Sequence, residues 1–363
     1  MKPPVDKSYQ LLAARYIRRQ IKQLTGQIEG IRKAEDLEFV HRARVASRRL
    51  RQALAVFDDC FPGDRVGFWE KEVRRLGRGL GAARDKDVQI QWVSDVLARL
   101  EDRPCVLGVA RVLVRCQRKR ERRQPEVLRR LRQLLAGRAL HEMLAATKKL
   151  TAAADGKEAA EKSPVVFERA EWHISERVKE LRAFEPCLAD PDDHEQHHAM
   201  RIAAKRLRYT MELFKPIYDG GLDRVIEAIK QVQSHLGDVH DCDVWVDQLD
   251  KMLQKQSKRF ARCYRHAGPL AQIQPGIDCL KQDRRRRREY LFSTLVEFWR
   301  EQTEAGLWDE LADVVRLRAP LPEVPEGLAP ALGGRKTPAE GNGNGNRPAD
   351  ARSGSVSGML EVS

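Results

Sequence analysis

Several things this sequence has little of narrow its reading before any motif is found. Cysteine is sparse, with seven in 363 residues. Cys60, Cys105, Cys116, Cys187, Cys242, Cys263 and Cys279 are scattered, odd in number and without a Cys-x-x-Cys pair, which argues against a disulfide framework and for reduced thiols. Long apolar runs are missing: nothing approaches the ~18–20 residues a membrane span needs. The start, Met-Lys-Pro-Pro, turns polar at once, so a cytoplasmic protein is expected. Alternating runs of β-branched residues are nearly absent, and strands are not expected. Aromatics make up 6% of the chain and do not interleave with its arginines, so no platform for stacking bases is visible.

Negative charge is also in deficit. Lys and Arg number 67 against 53 Asp and Glu, a net charge of +14. The 42% of hydrophobic residues can still build a core, so this is a folded basic protein and not a disordered polycation. Its partner class is a polyanion, but DNA, RNA, anionic lipid and polyphosphate all attract Arg-rich surfaces through the same Coulomb interaction.

The length predicts two lobes of roughly 150 residues each. Leu, Ala, Arg, Glu and Gln recur at helical spacing over 8–150. Gly63, Gly77 to Gly81, Pro104 and Pro125 are read as breaks that cut this first lobe into helices of roughly 15 to 30 residues, a pattern of antiparallel bundle neighbours. A stretch poor in large apolar residues, 151–164, is the expected inter-lobe connection. A second helical lobe follows over 165–317, and a Pro-, Gly- and Asn-rich tail over 318–363 is expected to be disordered.

An internal repeat is the most informative feature. His41-x-x-Arg44-Val45-Ala46-x-Arg48-Arg49-Leu50-Arg51 returns as His198-x-x-Arg201-Ile202-Ala203-x-Lys205-Arg206-Leu207-Arg208. Downstream of each copy, Leu80-Gly81-x-x-Arg84-Asp85-x-Asp87-Val88 matches Leu236-Gly237-x-x-His240-Asp241-x-Asp243-Val244. One half duplicates the other. The fold class is therefore all-α: two antiparallel helical bundles related by internal duplication about a pseudo-twofold.

At 100° per residue, His41, Arg44, Arg48 and Arg51 share one helix face, as do His198, Arg201, Lys205 and Arg208. Ala43, Ala46, Leu50, Leu54 and Phe57 form an apolar stripe on the other side of the first motif helix. Stacked cations repel each other by a few tenths of a kcal/mol per neighbouring pair. The pattern does nothing for helix stability, and a bound anion would remove its cost. A lone Arg run is usually a solvated face, but recurrence in both halves with no Asp or Glu inside the motif favours a binding surface.

These residues resemble the CHAD family, a conserved-histidine α-helical domain, over about residues 8 to 316. The resemblance rests on the His-x-x-Arg-x-x-x-Arg-x-Leu-Arg helix in both halves and the Leu-Gly-x-x-(Arg or His)-Asp segment after each. It implies two helical-hairpin bundles about a pseudo-twofold, a basic central surface that binds inorganic polyphosphate, and a place on polyphosphate granules. Carried over residue by residue, the phosphate-contacting set is His41, Arg44, Arg48, Arg51, His198, Arg201, Lys205 and Arg208. Arg49, Arg206, Arg84 and His240 are secondary. No catalytic residue, metal or cofactor is expected. The alternating Glu and Lys or Arg strands of the CYTH domain, sometimes fused to such proteins, are not seen, so the chain reads as the binding module, with polyphosphate-metabolising enzymes as further candidate partners.

The Arg84-Asp85 and His240-Asp241 segments are read as turns opening helices, with Asp85 and Asp241 capping free amides and pairing with the motif arginines. Three rival readings stand beside the polyphosphate one. His235, His240, Asp241 and Asp243 together suggest a metal-dependent phosphohydrolase, although Arg84 occupies the His240 position in the first half and cannot ligate. Arg111 to Arg132 and Arg284 to Arg288 are dense basic runs that suit a nucleic-acid backbone. His194, His197 and His198 with Glu195 are a weak zinc pattern.

Cations around His41 and His198 disfavour their protonation, whereas a bound phosphate chain favours it. Binding is therefore expected to tighten below about pH 6.5, the ordinary His value. An affinity unchanged across that range would remove the histidines from this role.

Overall fold

The computed structural model describes residues 2–34, 36–152, 162–264 and 268–316, and all regular structure in them is helical. The expected tail, 318–363, and the middle of the expected connection, 153–161, lie outside the described residues.

Two runs of helices follow the same order. The first comprises α1 (Lys7–Thr25), the short α2 (Ile28–Lys33), α3 (Leu37–Val56), α4 (Gly63–Arg99), α5 (Arg103–Glu121), α6 (Gln124–Ala136) and α7 (Arg138–Ala152). The second comprises α8 (Pro164–Arg182), α9 (His194–Phe214), α10 (Asp223–Tyr264), α11 (Gly268–Glu304) and α12 (Leu307–Arg316). By sequence register α8 repeats α1, α9 repeats α3 and α10 repeats α4, while α11 is α5 and α6 run together. Pro125 in the first turn of α6 lacks an amide donor, so the chain restarts a helix there.

Side chains mark the helix starts as their chemistry predicts. Asp6 accepts from the amide of Tyr9 at 2.7 Å, and its counterpart Ser163 accepts from that of Val166 at 3.3 Å. Asp36 and Asp193 cap the two motif helices in the same way.

Contacts between equivalent residues trace the pseudo-twofold. The Ser163 hydroxyl donates to Asp6 at 2.7 Å, and the Phe57 and Phe214 rings meet edge to face at 6.2 Å. Farther along, Gly108 of α5 and Gly276 of α11 touch backbone to backbone. A methyl built on Gly108 would lie 2.2 Å from the Ile273 carbonyl oxygen, and one on Gly276 would lie 2.2 Å from that of Cys105. Such reciprocal contact is what a self-complementary interface about a twofold requires.

The larger core runs through both repeats, joining Tyr9, Leu50, Leu54 and Phe57 to Leu207, Phe214, Leu236 and Leu295. The whole expected stripe of α3, from Ala43 to Phe57, lies in it. Burial of each Leu or Phe contributes about 1.5–3 kcal/mol. A smaller core at the far ends of α4, α5, α10 and α11 gathers Val93, Val109, Val112, Trp245, Ile277 and Leu280. No described helix is long and apolar enough to cross a membrane.

Two expectations are corrected. The glycines at 77–81 break nothing, because α4 runs unbroken for 37 residues, and α10 reaches 42, beyond the expected helix lengths. Glycine weakens a helix by about 1 kcal/mol, but here its missing side chain admits a neighbour. A methyl on Gly79 would strike Arg130 Cδ at 2.6 Å. Consequently the Arg84-Asp85 and His240-Asp241 segments lie inside α4 and α10, where Asp85 and Asp241 have no helix start to cap.

The Gly108–Gly276 crossing generates a stability prediction. Gly276→Ala should cost about 1–3 kcal/mol through overpacking against rigid backbone. Gly67→Ala, with nothing within 4 Å of the added methyl, should gain up to about 1 kcal/mol from helix propensity. Denaturant midpoints of the two variants should move in opposite directions.

Candidate functional site

Because the apolar faces of α3 and α9 are committed to the core, their motif cations turn to the other side and meet along a seam between the repeats. All of His41, Arg44, Arg48, Arg51, His198, Arg201, Lys205 and Arg208 are half-buried there. Arg48 sits within electrostatic reach of Arg44 in its own repeat and of Arg201 and Arg208 in the other. Burial, followed by the repulsion of these arginines, lowers its pKa. Lys205 is pressed harder. Burial, then Arg201, Arg48 and Arg51, push its pKa down to about 8.

The glycines of the second motif explain how the arginines fit. Arg44 lies along α4 at Gly81, its Nε 3.5 Å from where a Cβ would be, and Arg201 lies along α10 at Gly237 at 3.7 Å. Any side chain larger than alanine at either glycine would displace the guanidinium. The Leu-Gly motif is thus a smooth seat for an arginine.

Carboxylates offset part of the charge. Arg44 pairs with Asp85 at 3.5 Å, Arg51 with Glu70 at 3.5 Å and Arg208 with Glu212 at 3.4 Å. Arg49 donates to Glu212 across the repeats at 3.0 and 2.8 Å, and Arg206 pairs with Glu180. The two secondary arginines are therefore already engaged. Arg48, Arg201 and Lys205 form no ion pair among the described residues, and Arg48 Nε is buried without a hydrogen bond. Asp241 pairs with no motif arginine. Its tip meets solvent, yet it is crowded enough for burial, with Asp238 and Asp85 adding, to raise its pKa against the pull of Arg201 and Arg44.

Sequence reasoning missed Tyr209. Its ring lies 4.8 Å from the Arg208 guanidinium and 5.7 Å from that of Arg48, so one aromatic ring serves cations of both repeats. Its counterpart in the first copy is Gln52, and a search for recurring residues could not find it. Glu212 was missed for the same reason.

The histidines are neutral over a wider range than expected. Burial and Arg84 lower His41, while burial, Arg201 and Lys205 lower His198. The His240 ring lies tilted against that of His198 at 4.2 Å, and burial with Arg201 pushes its pKa down to about 4. Protonation of the free seam thus falls below the anticipated pH 6.5.

The metal readings find no geometry. Among the described residues no three His, Cys, Asp or Glu converge. His235 lies against Phe298, and Asp243 is taken by Arg288 at 2.6 Å and His194 at 2.9 Å. His197 Nε2 lies 2.9 Å from the Cys187 carbonyl oxygen, so it and its neighbours in the zinc pattern face different partners.

Fold and site together define an internally duplicated all-helical protein with a cationic seam on its pseudo-twofold. The CHAD domain family model matches residues 15–250. The protein belongs to the CHAD family. Its fold is similar to the crystal structure of the CHAD domain from the plant Ricinus communis, with a TM-score of 0.51 and 23% identity over 88% of this chain and 96% of that one. It is also similar to PptA from Streptomyces chartreusis, with a TM-score of 0.55 and 17% identity over 80% of this chain and 98% of the other. Uncharacterized proteins from two strains of Mycobacterium tuberculosis are 29% identical over 246 residues, 66% of this chain and 44% of theirs. The chain thus matches under half the length of these curated relatives.

The electrostatics of the seam can be read directly. In a pH titration followed by NMR, the Lys205 ammonium should lose its proton near pH 8, and Arg201→Ala should move that transition upward. A Lys205 titrating at the ordinary ~10.4 would show that the cations do not confront one another.

Proposed function

We propose that this protein binds inorganic polyphosphate along the α3–α9 seam, as its CHAD membership and the motif resemblance imply, and that it does so without catalysis. What carries this reading is the confrontation of Arg48, Arg201 and Lys205, half-buried, drawn from both repeats and without an ion pair among the described residues. Core packing holds these charges together at a cost that an entering polyanion converts into binding energy. Phosphate oxygens suit the guanidinium fork, and each charge-assisted hydrogen bond contributes about 1.5–3 kcal/mol.

A phosphate chain has no base edges to read, and the seam offers cations and imidazoles in place of base-reading groups. The polymer's charge density and length set affinity, which falls steeply with salt. The same reading places the protein in the cytoplasm on polyphosphate granules, in the company of enzymes that make or degrade the polymer.

Lys205 gives the binding a proton linkage. Its pKa of about 8 in the free protein rises when a polyanion neutralises the seam, so binding takes up a proton and weakens as pH climbs above 8.

The test compares long-chain polyphosphate with duplex DNA of matched charge at two salt concentrations. Polyphosphate should bind more tightly, and Arg44→Glu with Arg201→Glu should weaken it by at least about 100-fold, the lower end of what two lost charge-assisted hydrogen bonds represent. In the same assay Lys205→Arg should flatten the loss of affinity above pH 8. Equal binding of both polymers, or an unaffected double variant, would overturn the assignment.

A further inference from the structure

A second concentration of positive charge lies away from the seam, in a groove of about 490 Å³ between α5 and α10 with α4 as its floor. Lys86, Arg115, Lys119, Arg122, Lys251 and Lys255 line it, and among the described residues no carboxylate does. Lys251 has a neighbour in Asp247 at 2.6 Å. Arg115 Nε is buried without a hydrogen bond, and Arg115, Lys119, Arg122 and Lys255 have no ion pair among the described residues. An adjoining hollow extends the strip to Arg111, Arg118 and Arg259. Along α5 and its C-cap, Arg111, Arg115, Arg118 and Arg122 fall at the spacing of a single helix face and run for about 16 Å at 1.5 Å per residue. The strip is linear, as a site for an extended anion would be.

The pseudo-twofold supplies a control within the molecule. The Arg120–Asp87 and Arg288–Asp243 pairs, each at 2.6 Å, are equivalent, and the Gly108–Gly276 contact fixes the same register between α5 and α11. In that register Arg115 corresponds to Asp283, Arg122 to Tyr290, Lys86 to Cys242 and Lys251 to Asp95, while Lys119 and Lys255 keep cationic counterparts in Arg287 and Arg99. On that opposite face Asp283 neutralises Arg284 at 2.6 Å, and the Arg284 guanidinium covers the Trp92 ring at 4.0 Å. The two faces differ down to their floors. Trp92, under Arg284 on the opposite face, meets Trp245 of the groove lining at 4.5 Å, while their equivalents Gln248 and Gln89 hydrogen-bond at 3.2 Å and Lys86 reaches Gln248 at 3.3 Å. Duplication alone would have given both faces the same charge. The groove is a one-sided feature laid over a symmetric frame.

The cations also crowd one another. Burial, then Arg115 and Lys86, lower the pKa of Lys119, and burial lowers that of Lys86, with Arg123 and Arg115 acting in the same direction. Trp245, the aromatic residue of the lining, is 6% exposed and presents no face for a base to stack on. A chain of phosphates fits these facts better than a nucleic acid does.

We infer that the α4–α5–α10 groove is a second binding site for linear inorganic polyphosphate, separate from the α3–α9 seam and present on one face of the pseudo-dimer only. The inference rests on the polyphosphate reading of the seam, but the two sites fail independently. Two sites on one chain let a long polymer bind at both ends, raising its affinity over a short one through effective concentration.

The experiment is calorimetric titration of the full chain with tripolyphosphate, a probe short enough to occupy one site at a time. Wild type should bind two equivalents. Arg115→Glu with Lys119→Glu should leave one, and Arg44→Glu with Arg201→Glu should leave the other. Lys22→Glu with Lys179→Glu, the same change of charge at exposed positions of α1 and α8, should keep both. Two equivalents retained by the Arg115/Lys119 variant would overturn the groove and leave the seam standing. Two retained by the Arg44/Arg201 variant would overturn the seam. A groove that takes a charge-matched DNA oligonucleotide more tightly than polyphosphate would overturn the choice of ligand.

Discussion

The structure depends on the packing of α3 against α9 across the pseudo-twofold. The apolar stripe of each helix is buried in a common core that the Tyr9, Phe57 and Phe214 rings close. Once those stripes are fixed, helix geometry dictates where the remaining faces go, and each carries cations. Hydrophobic burial and charge confrontation therefore occur in the same pair of helices, and neither can be altered without the other. Folding energy holds together charges that would separate in an unconstrained chain.

The surrounding residues answer that tension in three ways. Glycines at positions 81 and 237 let Arg44 and Arg201 lie flat on the neighbouring helices. Asp85, Glu70 and Glu212 take up part of the charge at 3.4–3.5 Å, contacts that stabilise little in exposed settings but orient the arginines. Tyr209 places its ring within cation–π reach of both Arg48 and Arg208. What stays unanswered is carried by Lys205, whose depressed pKa measures the residual strain.

Much of this was legible because duplication writes a pattern twice. The motif helices, their buried stripes and the residues that meet in the seam follow from 3.6-residue periodicity and the recurrence of His-x-x-Arg-x-x-x-Arg. Recurrence fails for whatever one copy holds alone. Tyr209 faces Gln52, and the cationic groove faces Asp283, Tyr290 and Cys242, so nothing in a repeat search marks them. Glycine misled for a different reason. In isolation Gly77 to Gly81 weakens a helix, but in the protein the absent side chains admit Arg130 and Arg44, a tertiary gain that a local propensity cannot register. The pairing of Asp85 with Arg44 was anticipated, whereas the capping role was not realised, since both segments are mid-helix.

If the seam binds a polyanion as proposed, the carboxylates already holding three of its arginines act as a filter on what enters. An anion approaching Arg44, Arg51 or Arg208 must displace Asp85, Glu70 or Glu212, and one phosphate replaces one carboxylate for little net gain. A polymer that engages several arginines together ejects several carboxylates after a single loss of translational freedom. Internal competition of this kind sets a threshold of valency. At those three arginines free phosphate, however abundant, finds its places occupied, and on the proposed reading discrimination by chain length needs no pocket that measures length.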